Sequence, residues 1–426
     1  MNVWLFVLGI IALALLGAPL FSIIGALALY GFSSADIDLS VVIIELYRIA
    51  DSPPLIAIPL FTFAGYMLAE SQSPKRLVNL AQAMFGWMPG GLAIVVLITC
   101  AFFTAFTGAS GVTIVALGGL LYPILIKEKY PEQFSLGLVT ASGSIGLLFP
   151  PSLPIILYAL IAAVSIDQLF VAGFVPGLIL LGVLAGYSVQ TGIKYHVPRI
   201  TFTLRNLGRA MKGAGWEIPL PIIVVGGIYG GAFTATEAAA VTAFYVFVVE
   251  VFIYRDLKLW TDVPRVMKES MLLVGAIMAI LGTAFGLTNY LIDQQIPQQL
   301  FELVREHIDS KIAFLLILNA FLIIVGMMMD IFSAIIVVVP LILPIAREFG
   351  VDPVHLGIIF LTNLEIGYMT PPVGLNLFLS GLRFRKPILT ITRAVLIFIV
   401  LELIALLLIT YIPELSLWPV EALGTR

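Results

Sequence analysis

The sequence contains very little charge. Of its 426 residues, 11% are charged and 61% are hydrophobic, and the mean hydropathy is +1.11. A soluble domain is about 25% charged and about 45–50% apolar, so this composition excludes a water-soluble globule. Apolar runs such as VLIFIVLELIALLLITYI (395–412) do not alternate with polar residues, as the strands of a membrane barrel would. The composition therefore predicts an all-α polytopic membrane protein.

Cysteine and histidine are also scarce. Cys100 is the only cysteine, which excludes an intrachain disulfide and a cysteine-based metal site. The three histidines, His196, His307 and His355, are scattered along the chain, so they indicate no metal cluster. No nucleophile and base are clustered either. We therefore predict that the chain is not an enzyme and binds no transition metal.

Signatures of nucleic-acid and nucleotide binding are missing. The net charge is −3 and there is no basic tail or patch, so we expect no nucleic-acid partner. The sequence contains no Gly-Lys pair and hence no phosphate-binding loop of the form G-x-x-x-x-G-K-[ST]. ATP hydrolysis by this chain is therefore not expected, and neither is an ATPase subunit. Energy for any transport would have to come from an ion gradient.

The apolar N-terminus is not a signal peptide, because the first basic residue is Arg48 and a signal peptide begins with a basic region. We interpret it as a mature membrane segment. The residues leave open whether 4–30 is one kinked helix or two short spans divided at Gly17-Ala18-Pro19. Further spans, at about 20 residues for one crossing, are predicted near 54–70, 134–164, 172–191, 215–232, 233–254, 268–292, 355–383 and 387–412.

Two more apolar stretches, 91–125 and 312–346, are interrupted near their middle. The interruptions are TAFTGASG (104–111) and VGMMMD (325–330), and each flanking half is short for a full crossing. A polar or small-residue break between two short helices is typical of a re-entrant hairpin. We therefore predict one re-entrant hairpin in each stretch.

The basic residues support this layout. If both hairpins return to the side they left, sixteen of the 22 lysines and arginines lie on one side and five on the other, with Arg393 inside a span. The side with the excess is predicted to be cytoplasmic. Amphipathic pieces at 76–88, 203–213 and 298–307 are predicted to lie along the interface.

The chain contains an internal repeat with an offset of 221 residues. IGLLFPP (145–151) and IGYMTPP (366–372) match at the isoleucine, the glycine and both prolines. Upstream, Leu-x-x-Pro-Ile occurs at 120–124 and again at 341–345. Seven matches at one offset indicate a duplicated unit made of a hairpin and a broken helix.

The second copy is predicted to be upside down, because five crossings, an odd number, separate it from the first. An inverted repeat with two broken helices indicates a secondary transporter whose site lies near the bilayer midplane. Proline and glycine end a helix and expose its last carbonyls, which suit a cation such as sodium. The next half-helix begins with its positive dipole end, which suits an anionic substrate.

Three charged residues inside predicted membrane segments are candidates for function. Asp330, at the second hairpin tip, is predicted to be a cation ligand or a partner of the tip backbone, because an intramembrane carboxylate is costly. Glu365 either faces a cavity or caps a broken helix end. Arg393 either holds an anionic substrate or extends its charge to the interface.

These motifs resemble a known family, the large membrane subunits of tripartite ATP-independent periplasmic (TRAP) transporters. The resemblance covers nearly the whole chain. Three segments carry the resemblance: GASGVTIVALGGLLYPILI (108–126), GSIGLLFPPSLPIILYAL (143–160) and, most specifically, NLEIGYMTPPVGLNLFL (363–379). In many members the residue matching Glu365 is not acidic, which leaves its role open.

The resemblance implies a fold similar to that of divalent-anion/sodium symporters and an elevator mechanism in the bacterial cytoplasmic (inner) membrane. It implies sodium-coupled uptake of organic acids such as C4-dicarboxylates or sialic acid. It also implies a periplasmic substrate-binding protein and a small four-helix membrane subunit. We expect that subunit to be a separate chain, because the start at Met1 leaves no room for it. No cofactor is expected other than sodium ions.

The candidate site residues follow from the break and tip positions that match the family pattern. The predicted sodium ligands are Thr107, Gly108, Ser110, Ser144, Gly146, Pro150, Gly326, Asp330, Gly367, Thr370 and Pro371. The predicted substrate contacts are Ser152, Asn363 and Asn376.

The predicted domain organisation has five parts. They are N-terminal scaffold helices (1–53), repeat 1 (54–191), central scaffold helices (192–267), repeat 2 (268–412) and a tail (413–426). The main alternative function is a stand-alone sodium/anion symporter of the related fold. A channel is a weaker alternative, since it does not need two opposed hairpins. A membrane-embedded enzyme is also weaker, since it would need a clustered nucleophile, base or metal site.

Overall fold

A computed structural model describes residues 3–50, 53–308, 310–422 and 424. Its regular secondary structure over these residues is helical throughout, as the composition predicts. The N-terminal region contains α1 (Val3–Leu15), α2 (Leu20–Ser34) and α3 (Ser40–Ala50). The rings of Phe6 and Tyr30 stack with their centroids 3.9 Å apart, so α1 and α2 fold back on each other around Gly17. The N-terminal stretch is therefore two short helices rather than one kinked helix.

The first unit follows the predicted order of span, hairpin, broken helix and span. It consists of α4 (Pro53–Glu70), α5 (Ser73–Phe85), α6 (Gly91–Thr107), α7 (Ser110–Lys127), α8 (Glu132–Ser142), a 3-10 turn (Ile145–Leu148), α9 (Leu153–Ala162) and α10 (Ile166–Lys194). The two halves of the broken helix meet at a bend of 44°. The bend lies at the double proline, where helical continuation is blocked.

Shorter elements separate the first unit from the second. They are α11 (Leu204–Gly213), α12 (Pro219–Pro221), a π-helical turn (Ile222–Gly226), α13 (Gly227–Tyr229), α14 (Ala235–Val248) and a second π-helical turn (Val249–Ile253). The side chain of Thr234 accepts a hydrogen bond from the backbone of Glu237, and the Glu237 carboxylate accepts one from Thr234 N–H. This capping box starts α14.

The second unit repeats the order of the first. It consists of α15 (Asp262–Asp293), α16 (Ile296–Arg305), α17 (Lys311–Met328), α18 (Ile331–Glu348), α19 (Pro353–Gly367), α20 (Leu375–Phe384) and α21 (Ile388–Tyr411), after which α22 (Glu414–Ala422) ends the described helices.

The repeat predicted from the sequence is also present in the helix boundaries. α7 begins at Ser110 and α18 at Ile331, and the two helices end at Lys127 and Glu348, so both ends are displaced by 221 residues. α7 packs against α20, and α18 packs against α9. This exchange of partners is expected for two copies related by a two-fold axis. From the odd number of predicted crossings between the copies, we predict that this axis lies in the membrane plane.

The hairpin arms are longer than the sequence indicated. By length and composition, three of the four arms are long enough to cross a bilayer: α7, α17 and α18. The arms of the first hairpin nevertheless fold back on each other. The Oγ1 atom of Thr104 in α6 lies 2.7 Å from that of Thr113 in α7. The helices alone do not decide whether either hairpin is re-entrant, so that part of the topology stays a prediction.

Candidate functional site

Both hairpin tips open onto one cavity of about 610 Å³. Its first wall is the tip of the first hairpin, residues 108–112, and its second wall is the tip of the second hairpin, residues 330–332. α4 and α15 also contribute to its lining. The remaining lining residues, which come from α7, from the two broken helices and from α4 and α15, are Tyr66, Ala69, Glu70, Val115, Ala116, Leu147, Glu269, Leu273, Tyr368, Leu375 and Leu379.

The first tip is an uncharged turn fixed by close packing. Gly108 has a φ of +65° and ends α6 in the left-handed region that favours glycine. A side chain there would collide with Leu153, because a Cβ atom would lie 2.6 Å from its side chain. Ser110, the next residue but one, starts α7 and donates a hydrogen bond of 2.8 Å to Oδ1 of Asn376. The first tip therefore contacts the second half of both broken helices.

The predicted residues of the first break lie behind this tip and do not line the cavity. Gly146 packs so closely on α6 that a Cβ atom would lie 2.2 Å from the carbonyl oxygen of Ala101. Ser144 and Pro150 are buried, and Ser144 Oγ donates to the carbonyl of its neighbour Ala141 at 3.4 Å. Thr107, at the end of α6, is also buried.

Ser152 is the N-cap of α9 and directly follows the first double proline. It is fully buried, and its Oγ has no hydrogen-bond partner among the residues that the structure describes. The Nδ2 atom of Asn376 lacks a partner in the same way, although its Oδ1 accepts from Ser110. Unsatisfied buried polar atoms are costly, and each of these two residues was predicted to contact substrate.

The second tip is organised by Asp330. Its Oδ1 accepts hydrogen bonds from the backbone N–H groups of Phe332 (3.0 Å) and Ser333 (3.1 Å), and its Oδ2 accepts from the Ser333 hydroxyl. Asp330 is thus the N-cap of α18, while it remains exposed and lines the cavity. In this structure the carboxylate is a partner of the tip backbone.

The second break is joined to the second tip by hydrogen bonds. The hydroxyl of Tyr368 accepts from the backbone N–H of Ile331, and the N–H of Gly374 donates to the Met327 carbonyl at 3.0 Å. The sequence analysis did not single out Tyr368. Its place three residues before a double proline and opposite a predicted tip is the signal that could have identified it.

Glycines let the second broken helix approach the second hairpin closely. A Cβ atom on Gly367 would lie 2.6 Å from the Cα of Gly326, so the two backbones are in contact. Thr370 donates its hydroxyl to the Ile366 carbonyl at 2.8 Å, and Pro371 is exposed. None of these four predicted residues lines the cavity; Gly326 and Gly367 hold the broken helix against the hairpin whose tip does.

Two predicted residues lie away from the cavity. The Nδ2 atom of Asn363 donates to Oδ1 of Asn319 at 2.8 Å, and Asn319 in turn donates to Thr410 at 3.2 Å. This buried polar group joins α17, α19 and α21. Arg393 is exposed on a different face of the molecule, beside Tyr187.

Glu365 is buried together with a second carboxylate that the sequence analysis missed. Glu365 and Glu402 are each 2% exposed, and the Glu402 carboxylate acts electrostatically on that of Glu365. Oε1 of Glu365 and both carboxylate oxygens of Glu402 have no partner among the described residues. A single acidic residue inside the apolar run 395–412 was the available signal.

The cavity is acidic. Glu70, Glu269 and Asp330 line it, and among the described residues no lysine, arginine or histidine does. Arg265 lies just outside, with its guanidinium 2.8 Å from Glu70 and 3.5 Å from Glu269. The Glu70 end of the cavity lies towards the side predicted to be cytoplasmic.

The largest charge cluster lies outside the cavity. Arg76 on α5 forms ion pairs with Glu217, Glu250 and Asp256 and lies over the ring of Tyr254. Burial works against the charge of Arg76, but its bonds to Glu217 and Asp256 outweigh this and raise the pKa of the guanidinium. The cluster anchors α5 to the end of the second π-helical turn.

Comparison with known proteins decides the family. The model of the DctM component of tripartite ATP-independent periplasmic transporters matches residues 3–415. The chain belongs to this family. It is similar to the C4-dicarboxylate TRAP transporter large permease protein of Rhodobacter capsulatus, with 36% identity over 97% of this chain and 98% of the relative.

Other TRAP permeases are similar over the same length. The ectoine/5-hydroxyectoine large permease protein of Ruegeria pomeroyi is 32% identical over 96% of this chain and 97% of the relative. Among solved structures, the Alcanivorax borkumensis YdaH transporter shares the fold, with a TM-score of 0.56 and 13% identity over 85% of each chain.

Family membership confirms several predictions from the sequence. The chain is a multi-pass protein of the bacterial inner membrane and a transporter permease rather than an enzyme. A TRAP transporter has three components, so membership implies a small membrane subunit and a periplasmic binding protein as partners.

Proposed function

We propose that this TRAP permease imports small organic acids, of the C4-dicarboxylate or sialic acid class, together with sodium ions. It receives the acid from the periplasmic binding protein and works with a separate four-helix membrane subunit. The transporting unit, built from the hairpins and broken helices, moves as an elevator against the remaining helices.

The observation that carries this proposal is the meeting of both hairpin tips on one cavity. α7 begins at Ser110 and α18 at Ile331, so the N-termini of both second arms lie at the cavity wall. Helix N-termini present free N–H groups and a positive dipole end, which favour a carboxylate. The same arrangement from two inverted copies is typical of secondary transporters.

The charges on the cavity wall support sodium coupling. An organic anion entering a cavity that is lined by three carboxylates and, in the described part of the chain, by no cation meets unfavourable charge, and sodium ions that enter with it offset that charge. Carboxylate, hydroxyl and carbonyl oxygens are hard ligands that suit sodium better than a transition metal. Asp330, Ser110 and the carbonyl of Gly108 are the sodium ligands we propose at the cavity itself.

The names of relatives set the range of substrates. The Rhodobacter capsulatus relative is named for C4-dicarboxylates and the Ruegeria pomeroyi relative for ectoine. Both solutes are small and carry at least one carboxylate. We therefore propose a carboxylate-bearing substrate, recognised at the helix N-termini of the two tips.

Contact between α4 and the first hairpin supports an elevator movement. Gly65 of α4 approaches the end of the first hairpin arm so closely that a Cβ atom would lie 2.4 Å from the Phe106 carbonyl oxygen. A glycine at this point leaves no side chain to interlock with the tip. The proposed sliding surface therefore runs between α4 and α15 on one side and the tips on the other.

Uptake of labelled organic acids into proteoliposomes tests the proposal. The chain is assayed alone, with its small subunit, and with both partners, under an inward sodium gradient or an equal potassium gradient. We expect uptake only with all three components and sodium. Uptake by the chain alone would instead support a stand-alone symporter, and uptake independent of sodium would contradict the coupling.

A further inference from the structure

A groove on the outside of the molecule is distinct from the transport cavity. It has a volume of about 510 Å³ and lies between the start of α8, the end of α10 and the first half of α21. A smaller space of about 200 Å³ adjoins it and shares Gln133, Phe134 and Tyr187 with it. The two form one continuous feature, which we call the α21 groove.

One end of the α21 groove is basic. Arg393 lines the larger part and Lys194 the smaller part, and no acidic residue lines either part among the described residues. The structure shows no ion pair or hydrogen bond of Arg393 with any other described residue. The nearest acidic residue along α8, Glu132, is already paired with Lys386.

The other end of the α21 groove is apolar and runs into the membrane. Leu396 (52% exposed), Ile397 (42%) and Val400 (51%) line it. α21 begins at Ile388, so Arg393 lies about 7 Å and Val400 about 18 Å along the helix from its first residue. The groove therefore extends from the interface that is predicted to be cytoplasmic towards the bilayer centre.

We propose that the α21 groove binds an anionic phospholipid of the cytoplasmic leaflet. Arg393 and Lys194 contact the phosphate and the anionic headgroup, and an acyl chain lies along Leu396, Ile397 and Val400. Basic pockets between membrane helices on the cytoplasmic side are suited to such headgroups. A guanidinium inside a span needs an anion or water, and the headgroup supplies the anion that the protein does not.

The charge at one end of the α21 groove and the length of its apolar end favour a lipid over other occupants. Free phosphate would use the two cations but leave the apolar end of the groove unused. A helix of a partner protein would cover that end but would need its own carboxylates opposite Arg393 and Lys194. A phospholipid matches both ends at once and is already present in the surrounding leaflet.

The test measures thermal stability and lipid retention of the full-length chain. Purified protein in detergent is melted with added phosphatidylglycerol or phosphatidylcholine, and lipid that co-purifies is quantified by mass spectrometry. We expect phosphatidylglycerol to raise the melting temperature more than phosphatidylcholine does, because a ligand that binds only the folded state stabilises it. The double variant Arg393→Gln/Lys194→Gln should lose most of that difference and most of the retained phosphatidylglycerol.

Two further variants distinguish the contribution of the lipid headgroup from that of the acyl chain and from general charge effects. Arg199→Gln/Lys127→Gln removes two basic residues from the same predicted side outside the groove, and we expect it to behave as wild type. Val400→Trp fills the apolar end and should reduce retention although both cations remain. If the Arg393/Lys194 variant does not fold, the Val400→Trp variant still decides the proposal.

Three results would overturn the proposal. One is full retention of phosphatidylglycerol in both groove variants. Another is an equal rise in melting temperature with sodium phosphate alone, which would identify a free-anion site. The third is displacement of the lipid by the small membrane subunit, with loss of that subunit in the groove variants, which would identify a protein interface.

Discussion

The two helix breaks share one backbone plan but are stabilised in different ways. Pro150 and Ser152 of the first break are buried, and surrounding helices hold them in place. Pro371 and Val373 of the second break are exposed, and hydrogen bonds to the second hairpin hold that segment. The repeat therefore determines the path of the backbone, while the contacts that hold each break differ.

The hairpin tips differ in the same direction. The first tip has no charged residue and is bound from outside by Asn376, whereas the second is capped by its own Asp330. Of the two tips, the first therefore supplies a closely packed wall and the second supplies a charge. Four substitutions test this comparison, in order of decreasing expected effect.

Gly146→Ala should have the largest effect, because it places a methyl group against the Ala101 carbonyl in the packed break. Overpacking a core costs about 1–3 kcal/mol, and contact with rigid backbone leads us to expect the upper end of that range. We expect this variant to have a lower melting temperature than wild type and to show little transport in the uptake assay. Gly182→Ala is the matched control, since nothing lies within 4 Å of that position, and equal losses in both variants would contradict the account.

Ser110→Ala should have the next largest effect, because it removes the bond between the first tip and Asn376 and leaves both polar ends of that amide unpaired. An unsatisfied buried group costs about 1–3 kcal/mol. A double-mutant cycle with Asn376→Leu, read from melting curves, should give a smaller loss for the pair than the sum of the two single losses. Strict additivity would show that the two side chains do not interact.

Asp330→Asn should change sodium dependence more than stability. Asparagine also caps helices, so the expected loss is below about 1 kcal/mol, whereas the negative charge at the tip disappears. We expect the sodium concentration for half-maximal uptake to rise without loss of membrane insertion. Asp330→Ala, which also removes the cap, is the control for stability. Unchanged sodium activation in Asp330→Asn would reject Asp330 as a sodium ligand.

Thr370→Ala should have the smallest effect on stability. The Thr370 hydroxyl bonds only to the carbonyl one turn back in its own segment, which weakly competes with helical bonding. We expect a change in melting temperature close to the experimental error. A large loss of stability would show that the second break is packed as closely as the first.

The sequence predicted the positions of the breaks closely because proline, glycine and hydrophobic length act locally. In the structure, helices end at or shortly before Gly108 and both double prolines, and the ends of α7 and α18 differ by the predicted 221 residues. The partners of polar side chains were not predictable in this way. Asn363 bonds to Asn319 on another helix, Tyr368 supports the second tip, and Glu402 lies beside Glu365; each depends on how distant helices pack.

The length of the hairpin arms shows a second limit of sequence reasoning. Their breaks were correctly placed, but the arms were judged too short to cross, and α17 and α18 prove to contain 18 residues each. Length alone therefore does not separate a re-entrant arm from a crossing one. The distinction depends on which helices surround each arm, which periodicity and composition do not report.

The most direct test of the central claim is substrate protection of both tips in one preparation. With Cys100 replaced by alanine, single cysteines are introduced at Ala109 and Phe332, which line the cavity from opposite copies, and at Lys127, an exposed residue at the end of α7 outside the cavity, as a control. Labelling by a water-soluble thiol reagent is followed with and without sodium and organic acid. We predict that sodium and substrate together slow labelling at both tips and leave the control unchanged. Protection of only one tip, or of neither, would contradict a transport site shared by the two repeats.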